Sequence, residues 1–360
     1  MALGDGDKRV LVAMSGGVDS SVTAGLLRDA GFEVTGVFMC LGMAGDSDSD
    51  SRGCCSPQDA TDARAVACKL GIELYVLNLA EAFAPIIEYF VDEYRLGRTP
   101  NPCVPCNAQI KFGRLLRHAD ALGIPWVATG HYARIALADG RPAIWRKSPR
   151  HKDQSYVLFG IARELLGRIL FPLGDMPSKH DVREKARAMG LSVHDKPDSQ
   201  EICFVPDNDY VAYLGRRCPE ALRPGAIVDS SGKVLGRHRG IATFTIGQRK
   251  GLGIASKIPL FVTHLDAGTA TVTVGPHSEI LHSHLRATRA NWHCDPPPEF
   301  EATVQVRYNH AGSPAHVRVT GPTEFEVDFA EPVLAVTPGQ AAVCFDGDRL
   351  MGGGWIESVH

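Results

Sequence analysis

Over its first 130 residues the chain alternates short apolar runs with amphipathic segments. Residues 9–14 (RVLVAM) predict a short strand buried on both faces, and residues 19–30 place apolar side chains at helical spacing as far as Gly31. Strands at 33–39, 73–79 and 126–129 then alternate with helices at 58–70, 83–96 and 107–122, the first of these closed by Gly71. Strands and helices of these lengths in alternation mean βαβ units and a parallel sheet covered on both faces, an α/β fold. Pro100, Pro102 and Pro105 crowd residues 97–106, which predicts an irregular loop there. From 153 to 217 the spacing reads as helical, with a polar loop at 195–206, while 46–52 is a short acidic, serine-rich loop.

Beyond Pro219 the period changes. Short β-rich runs at 226–228, 271–274, 302–307, 315–319, 324–329 and 341–345 are separated by Gly, Pro and Asp turns, the pattern of small antiparallel sheets or barrels. The strand pattern lapses at 281–285 and restarts. Three domains are therefore expected: a parallel-sheet catalytic domain with a helical insertion at 1–217, a small β-rich domain at 218–284 and a β-barrel at 285–360. A length of 360 residues exceeds what one hydrophobic core usually organises.

Composition narrows the class. Apolar residues make up 44% and charged residues 22%, as in an ordinary soluble protein, and no apolar run is long enough to span a bilayer. The N-terminus is short and polar, unlike a secretory signal, which predicts a cytoplasmic protein without a membrane partner. In that compartment ten cysteines read as thiols, metal ligands or catalysts rather than disulfide staples. Most of the others read as buried small hydrophobes and adjacent Cys54 and Cys55 fit either reading, whereas Cys103, Cys106 and Cys203 stand in chemically suggestive settings. A net charge of −3 excludes a wholesale polyanion binder but not a local basic surface. Lys233, Arg237, Arg239, Arg249, Lys250 and Lys257 fall in a stretch without Asp or Glu, and a second cluster holds Arg141, Arg146, Lys147, Arg150 and Lys152. The runs 146–152 and 237–250 are the candidate phosphate contacts.

The strongest motif is Ser15-Gly16-Gly17-Val18-Asp19-Ser20, placed between a predicted strand and helix. Its glycines allow a tight turn that presents N–H groups, and the helix N-terminus favours a phosphate. Ser15 and Ser20 offer hydroxyls, and Asp19 can hold Mg²⁺ against a leaving pyrophosphate. The lysine of a Walker A loop is missing, which disfavours γ-phosphoryl transfer. The hexapeptide resembles the pyrophosphatase loop of the ATP-pyrophosphatase superfamily, whose members cleave ATP to AMP and pyrophosphate. The second motif is Cys103-x-x-Cys106 before the helix expected from Asn107, with Cys203 following in Asp198-Ser199-Gln200-Glu201-Ile202-Cys203-Phe204. A thiol at a helix N-terminus ionises more easily and becomes a usable nucleophile or ligand.

Gly130-His131-Tyr132-Ala133-Arg134, Lys152-Asp153-Gln154-Ser155-Tyr156, Thr245-Ile246-Gly247-Gln248-Arg249-Lys250-Gly251-Leu252-Gly253 and Pro338-Gly339-Gln340 follow in order. With the two motifs above, the chain resembles the bacterial tRNA-specific 2-thiouridylases from residue 8 to 356. The resemblance implies ATP in the loop formed by Ala13, Met14, Ser15, Gly16, Gly17, Val18, Asp19 and Ser20, with Met39 along the adenine and Gly130 close to the nucleotide. It makes Cys106 the nucleophile and Cys203 the persulfide carrier. Asn101, Pro102 and Cys103 are placed near the target base, and His131 orients the site. Lys152, Asp153, Gln154, Arg307, Tyr308 and Gln340 are expected to contact tRNA, together with Arg249 and Lys250 of the basic run.

The implied partners are the tRNA anticodon stem-loop, in tRNAs for Lys, Glu and Gln, and a sulfur donor protein or free sulfide. Many members carry Asp where this chain has Cys103, so an acid–base role for that Asp does not transfer to the thiol. Phe244 replaces the usual Tyr, and Cys344-Phe345 replaces a more aromatic pair.

Two sulfur chemistries are compatible with these residues. In one, a persulfide on Cys203 attacks and Cys106 resolves it as a disulfide, which requires the two thiols to face a common cavity. In the other, Cys103, Cys106 and Cys203 ligate a 4Fe–4S cluster whose fourth iron holds sulfide, and a cysteine at 103 favours this version. An amide-forming adenylating ligase would leave the cysteines and the β-rich tail without a task. A zinc-stabilised RNA-binding protein would use the cysteines but form no AMP.

Overall fold

The computed structural model describes residues 7–42, 56–147, 152–197, 202–205 and 209–360. The 46–52 loop, Cys54, Cys55, Arg150 and residues 198–201 of the Cys203 motif lie outside the described residues. The chain forms two compact units. One comprises Met1–Pro85, Cys103–Asn208 and Asp348–Leu350, the other Ile86–Pro102, Asp209–Gly347 and Met351–His360.

In the first unit the strands β1 (Arg9–Ala13), β2 (Glu33–Cys40), β3 (Glu73–Asn78), β4 (Trp126–Ala128) and β7 (Ile169–Leu170) form a parallel sheet in the order β3-β2-β1-β4-β7. Helix α1 (Val18–Asp29) follows β1, α2 (Pro57–Leu70) follows β2, and α3 (Ala80–Arg95), which belongs to the second unit from Ile86 on, follows β3. Helix α2 starts at a capping box, Ser56 with Asp59, and stops at Gly71 with φ +67°, the left-handed conformation a glycine adopts without a Cβ penalty. Val10, Val12, Val22, Val34, Phe38, Val66 and Leu173 share one core. Because β1 lies between β2 and β4, the order reverses there, the position at which such sheets form a ligand crevice outside the carboxyl ends of their strands.

Two expectations for this unit are corrected. The proline-rich stretch is not wholly irregular: helix α4 (Cys103–Pro105) runs on as a nine-residue π-helical segment, Cys106–Arg114, and then as α5 (Leu115–Ala121). Pro105 is tolerated because first-turn N–H groups have no intrahelical acceptor to lose. The helical reading of 153–217 gives way to short 3₁₀ turns at Ser155–Leu158 and Arg163–Arg168, then β7, and only later α6 (Lys179–Ala188) and α7 (Tyr210–Arg217, in the second unit). Gly160, Gly167, Pro172, Gly174 and Pro177 interrupt any longer helix. A hairpin of β5 (Ala133–Ala138) and β6 (Arg141–Arg146) went unread in the pattern, although Asp139 (φ +52°) and Gly140 (φ +75°) supply the turn its strands require.

The second unit holds two β-structures. Strands β8 (Gly225–Asp229), β9 (Val234–His238), β10 (Phe261–Asp266) and β11 (Thr271–Gly275) form a four-stranded sheet over Ile227, Val262, Val272 and Val274. Strands β12 (Leu281–Trp292), β13 (Glu299–Gln305), β14 (Ser313–Gly321), β15 (Glu324–Leu334), β16 (Ala341–Asp346) and β17 (Arg349–Val359) follow as β12-β15-β14-β13-β16-β17, and β12 also pairs β17, closing a barrel. Strand β12 begins at Leu281, within the break expected at 281–285, and a bulge between His282 and His284 disturbs the alternation while the strand continues. Strand β17 was hidden by its glycines. A Cβ on Gly352 would lie 2.5 Å from Asn291 O, and one on Gly354 2.8 Å from Thr288 O, because β12 approaches closely there.

Candidate active site

Ala13 ends β1, and buried Met14 after it leads the chain to the turn at Gly16, which has φ +71°. A Cβ on Gly16 would stand 2.3 Å from Asp59 O, so the turn is packed directly on the first turn of α2. Gly17 is the N-cap of α1 and carries no side-chain cap, so the helix meets the crevice with backbone N–H groups.

The two serines differ. Ser15 is exposed, whereas Ser20 is buried, donating to Gly17 O (3.1 Å) and accepting from Ser15 N (3.1 Å). Ser20 therefore shapes the loop, and the hydroxyl of exposed Ser15 lies 3.2 Å from Ser20 Oγ. Val18 is buried, and Asp19 lies in the first turn of α1.

Both Asp19 carboxylate oxygens are engaged. The Tyr132 hydroxyl donates to Oδ1 at 2.7 Å and Lys179 Nζ to Oδ2 at 2.6 Å. Gly130 follows β4 so closely that a Cβ there would lie 2.9 Å from the Asp19 carbonyl carbon and 3.0 Å from Ser20 N. Met39, half-buried, sits two positions beyond the Ala13–Val37 pair, at the same edge of the sheet. The Ser15–Ser20 turn, the Asp19 carboxylate, Gly130 and Met39 thus converge on the carboxyl edge at the switch point. Tyr132 and Lys179 complete the Asp19 site, and the pattern missed both because they arrive from 113 and 160 residues away.

His131 is buried between Phe112 and Phe171, with ring centroids 6.0 and 5.9 Å away, and its Nδ1 meets Thr129 Oγ1 at 2.6 Å. Burial, with the nearby Lys111 charge, pushes its imidazole well below the ordinary value, so it stays neutral near pH 7. Phe112 belongs to the π-helical segment that begins at Cys106, so these rings seat that segment on the chain leaving β4. Cys106 is only 8% exposed, one turn inside the helix rather than at its start; the N-terminal position belongs to the exposed Cys103. Asn107 donates from Nδ2 to Val157 O at 3.0 Å. Cys203 is half-buried, and its neighbour Phe204 packs edge-on against Phe83 (5.6 Å). Among the described residues no three His, Cys, Asp or Glu side chains are grouped to hold a single metal ion.

The expected tRNA contacts divide. Lys152 is exposed, with φ +64°. Asp153 Oδ1 accepts from Lys147 N and Ser155 N, and Gln154 Oε1 accepts from Tyr132 N at 2.9 Å, which steadies the residue that holds Asp19. Within the basic run 146–152, Arg146 and Lys147 are buried, 4% and 1% exposed, with Arg146 3.6 Å from Asp153 and Lys147 Nζ donating to Pro177 O, while Lys152 is exposed. The Arg146 and Lys147 charges are thus turned toward partners inside the fold.

In the second unit, Lys233, Arg237, Arg239, Arg249, Lys250 and Lys257 are all exposed. Tyr308 is exposed, and Arg307 donates to Leu334 O at 3.1 Å. Gln340 Nε2 donates to Thr99 O and Pro100 O at 2.9 and 3.2 Å, so its amide holds the stretch leading to half-buried Asn101 and buried Pro102.

Residues 8–207 match the family described as the tRNA methyl transferase HUP domain, 212–276 the tRNA methyl transferase PRC-barrel domain and 282–356 the aminomethyltransferase beta-barrel domain. The tRNA-specific 2-thiouridylase MnmA of Carboxydothermus hydrogenoformans is 49% identical over 362 residues, spanning 98% of each chain. Its namesake in Rhodopirellula baltica is 46% identical over 383 residues, covering 97% of this chain and 96% of its own. A solved 4-thiouridine synthetase in complex with RNA and ATP is similar over 59% of this chain and 51% of its own, at 17% identity and a TM-score of 0.34, too distant to bear on the site.

Proposed function

The chain belongs to the tRNA-specific 2-thiouridylase family, and from that premise we infer that its α1 loop binds ATP to adenylate the wobble uridine of tRNA before sulfur replaces O2. The observation that carries this reading is the uncapped N-terminus of α1 at the sheet's switch point, with the Asp19 carboxylate beside it.

The order of steps follows from leaving-group chemistry. Oxide is a poor leaving group from C2 of uracil. Attack of O2 on the α-phosphorus expels pyrophosphate, the N3 proton is lost, and O2 becomes part of AMP, which departs readily. The α1 amides and the Ser15 hydroxyl hold the phosphates, and Tyr132 and Lys179 keep Asp19 oriented toward them. Asp19 fits a Mg²⁺ ligand, since it is an acidic side chain at the phosphate end, 32% exposed. The ion, when bound, would neutralise charge on the pyrophosphate.

In the sulfur step the terminal sulfur of a Cys203 persulfide attacks C2 and AMP leaves. The Cys106 thiol then attacks the Cys203 sulfur, releasing 2-thiouridine and forming a Cys106–Cys203 disulfide, which an external dithiol reduces before the next turnover. Cys103, in place of the Asp that many members carry, supports the cluster reading, in which a cluster, when bound, would be held by Cys103, Cys106 and Cys203 and would supply the sulfur in place of the persulfide. The absorbance spectrum of protein purified without oxygen decides between them: a broad band near visible wavelengths that is lost with Cys103→Ser supports the cluster, and a colourless active protein supports the persulfide.

The implied tRNAs are those for Lys, Glu and Gln, and the sulfur comes from a donor protein or free sulfide. No helix among the described residues is long and apolar enough to cross a membrane. The exposed bases of the second unit are the proposed anticodon-arm contacts. Each lost phosphate contact removes about 0.9 from the slope of log affinity against log salt. Reversing Arg249 and Lys250 to Glu is expected to weaken tRNA binding at least about tenfold near 0.1 M salt and to flatten that slope, with ATP binding unchanged. Filter binding across a salt series checks this, and unaltered affinity would remove this surface from the reading.

A further inference from the structure

The phosphate loop is held from behind by a side chain that the adenylation chemistry does not itself call on. Lys196 Nζ donates to Gly16 O at 3.0 Å, to Asp59 Oδ1 at 2.7 Å and to Asp62 Oδ2. An ammonium has three N–H donors, so this set matches its whole capacity. Burial opposes its charge, but the two carboxylates outweigh burial and raise its pKa. Asp59 is itself fixed, because its other oxygen, Oδ2, accepts from Ser56 N at 3.2 Å while Ser56 Oγ accepts from Asp59 N at 3.1 Å. Lys196 therefore joins a rigid helix start to one peptide oxygen of the loop.

The consequence is stereochemical. In a trans peptide the C=O and the following N–H point in opposite directions within one plane. Gly16 and Gly17 are the most rotatable pair in the loop, and nothing in their side chains selects the orientation of the peptide between them. Pinning Gly16 O toward α2 turns Gly17 N–H away from α2.

We propose that Lys196 is a positioning residue for adenylation: it fixes the Gly16–Gly17 peptide so that Gly17 N–H joins the α1 amides that receive the triphosphate. This rests on the reading of the α1 loop as the ATP site. It assigns a nucleotide role to a lysine that touches no substrate and lies 180 residues from the loop in sequence.

The test uses the full chain with two ligands, the non-hydrolysable α,β-methylene-ATP and adenosine, which lacks phosphates. Lys196→Met is expected to weaken the methylene analogue about tenfold or more, the scale of one lost charged hydrogen bond, and to leave adenosine within about twofold. The KM for ATP in pyrophosphate release should rise by a similar factor with tRNA affinity unchanged, and Lys196→Arg should recover most of the loss. Should Lys196→Met fail to fold by its melting curve, Asp62→Asn, which loosens the lysine from α2, should show the same selectivity at a few-fold. Equal losses for both ligands, or no loss of the analogue, would overturn the lysine's role while the ATP site stands. A wild-type protein that binds adenosine as tightly as the analogue would remove the phosphate site and the lysine's role with it.

Discussion

Cys106→Ser is expected to lower 2-thiouridine formation by at least about a thousandfold, with pyrophosphate still released on mixing ATP and tRNA. A serine hydroxyl neither resolves a persulfide nor ligates iron, so both sulfur chemistries require this loss. Cys203→Ser should match it, and the double variant should be no worse than either single one, because groups that act as a unit are not additive. Nucleoside analysis of digested tRNA, read beside pyrophosphate release, separates the two half-reactions. Thiolation surviving at a tenth of the normal rate in either variant would remove that cysteine from the chemistry. The buried setting of Cys106 makes serine the right substitute, since it changes volume little.

Asp19→Ala is expected to abolish the first half-reaction, with AMP and pyrophosphate formation falling at least about a hundredfold and the fold retained. The substitution removes the carboxylate at the phosphate end and releases Tyr132 and Lys179, which now hold it. Asp19→Asn keeps the Tyr132 hydrogen bond but not the charge, so it should fail nearly as badly if charge is what matters. Pyrophosphate released at the normal rate in both variants would refute the assignment of this loop to ATP. Supplying chemically adenylated anticodon RNA should restore thiolation to Asp19→Ala and not to Cys106→Ser.

These two centres were legible in the sequence for different reasons. Strand β1 is buried on both faces and reads as a continuous apolar run, and β2 carries buried Val34, Val37 and Phe38, so the βαβ frame and the loop at Ser15 followed directly. The edge strand β3 was legible as well, although Tyr75 and Val76 are exposed. What escaped was tertiary. Lys179 and Lys196 each stand in unremarkable polar surroundings in the sequence, and only folding brings them to Asp19 and Gly16. The helix from Cys103 escaped because proline was weighed as a breaker without regard to position, and in the first turn it breaks nothing. Among the cysteines, the spacing of 103 and 106 was visible at once, but not that one would be exposed and the other covered.

The burial of Arg146 and Lys147 changes how a survey of this protein's basic residues has to be interpreted. A scan that replaces each Arg and Lys by alanine and scores tRNA retention treats every loss as a lost contact. At these two positions the replacement strips a cation from beside Asp153 and leaves Pro177 O without its donor, so the protein is damaged before any nucleic acid arrives. Their signature is low yield and early melting with an undiminished salt slope in whatever folds. Only hits lacking that signature, such as those sought at Arg249 and Lys250, trace the footprint of the RNA.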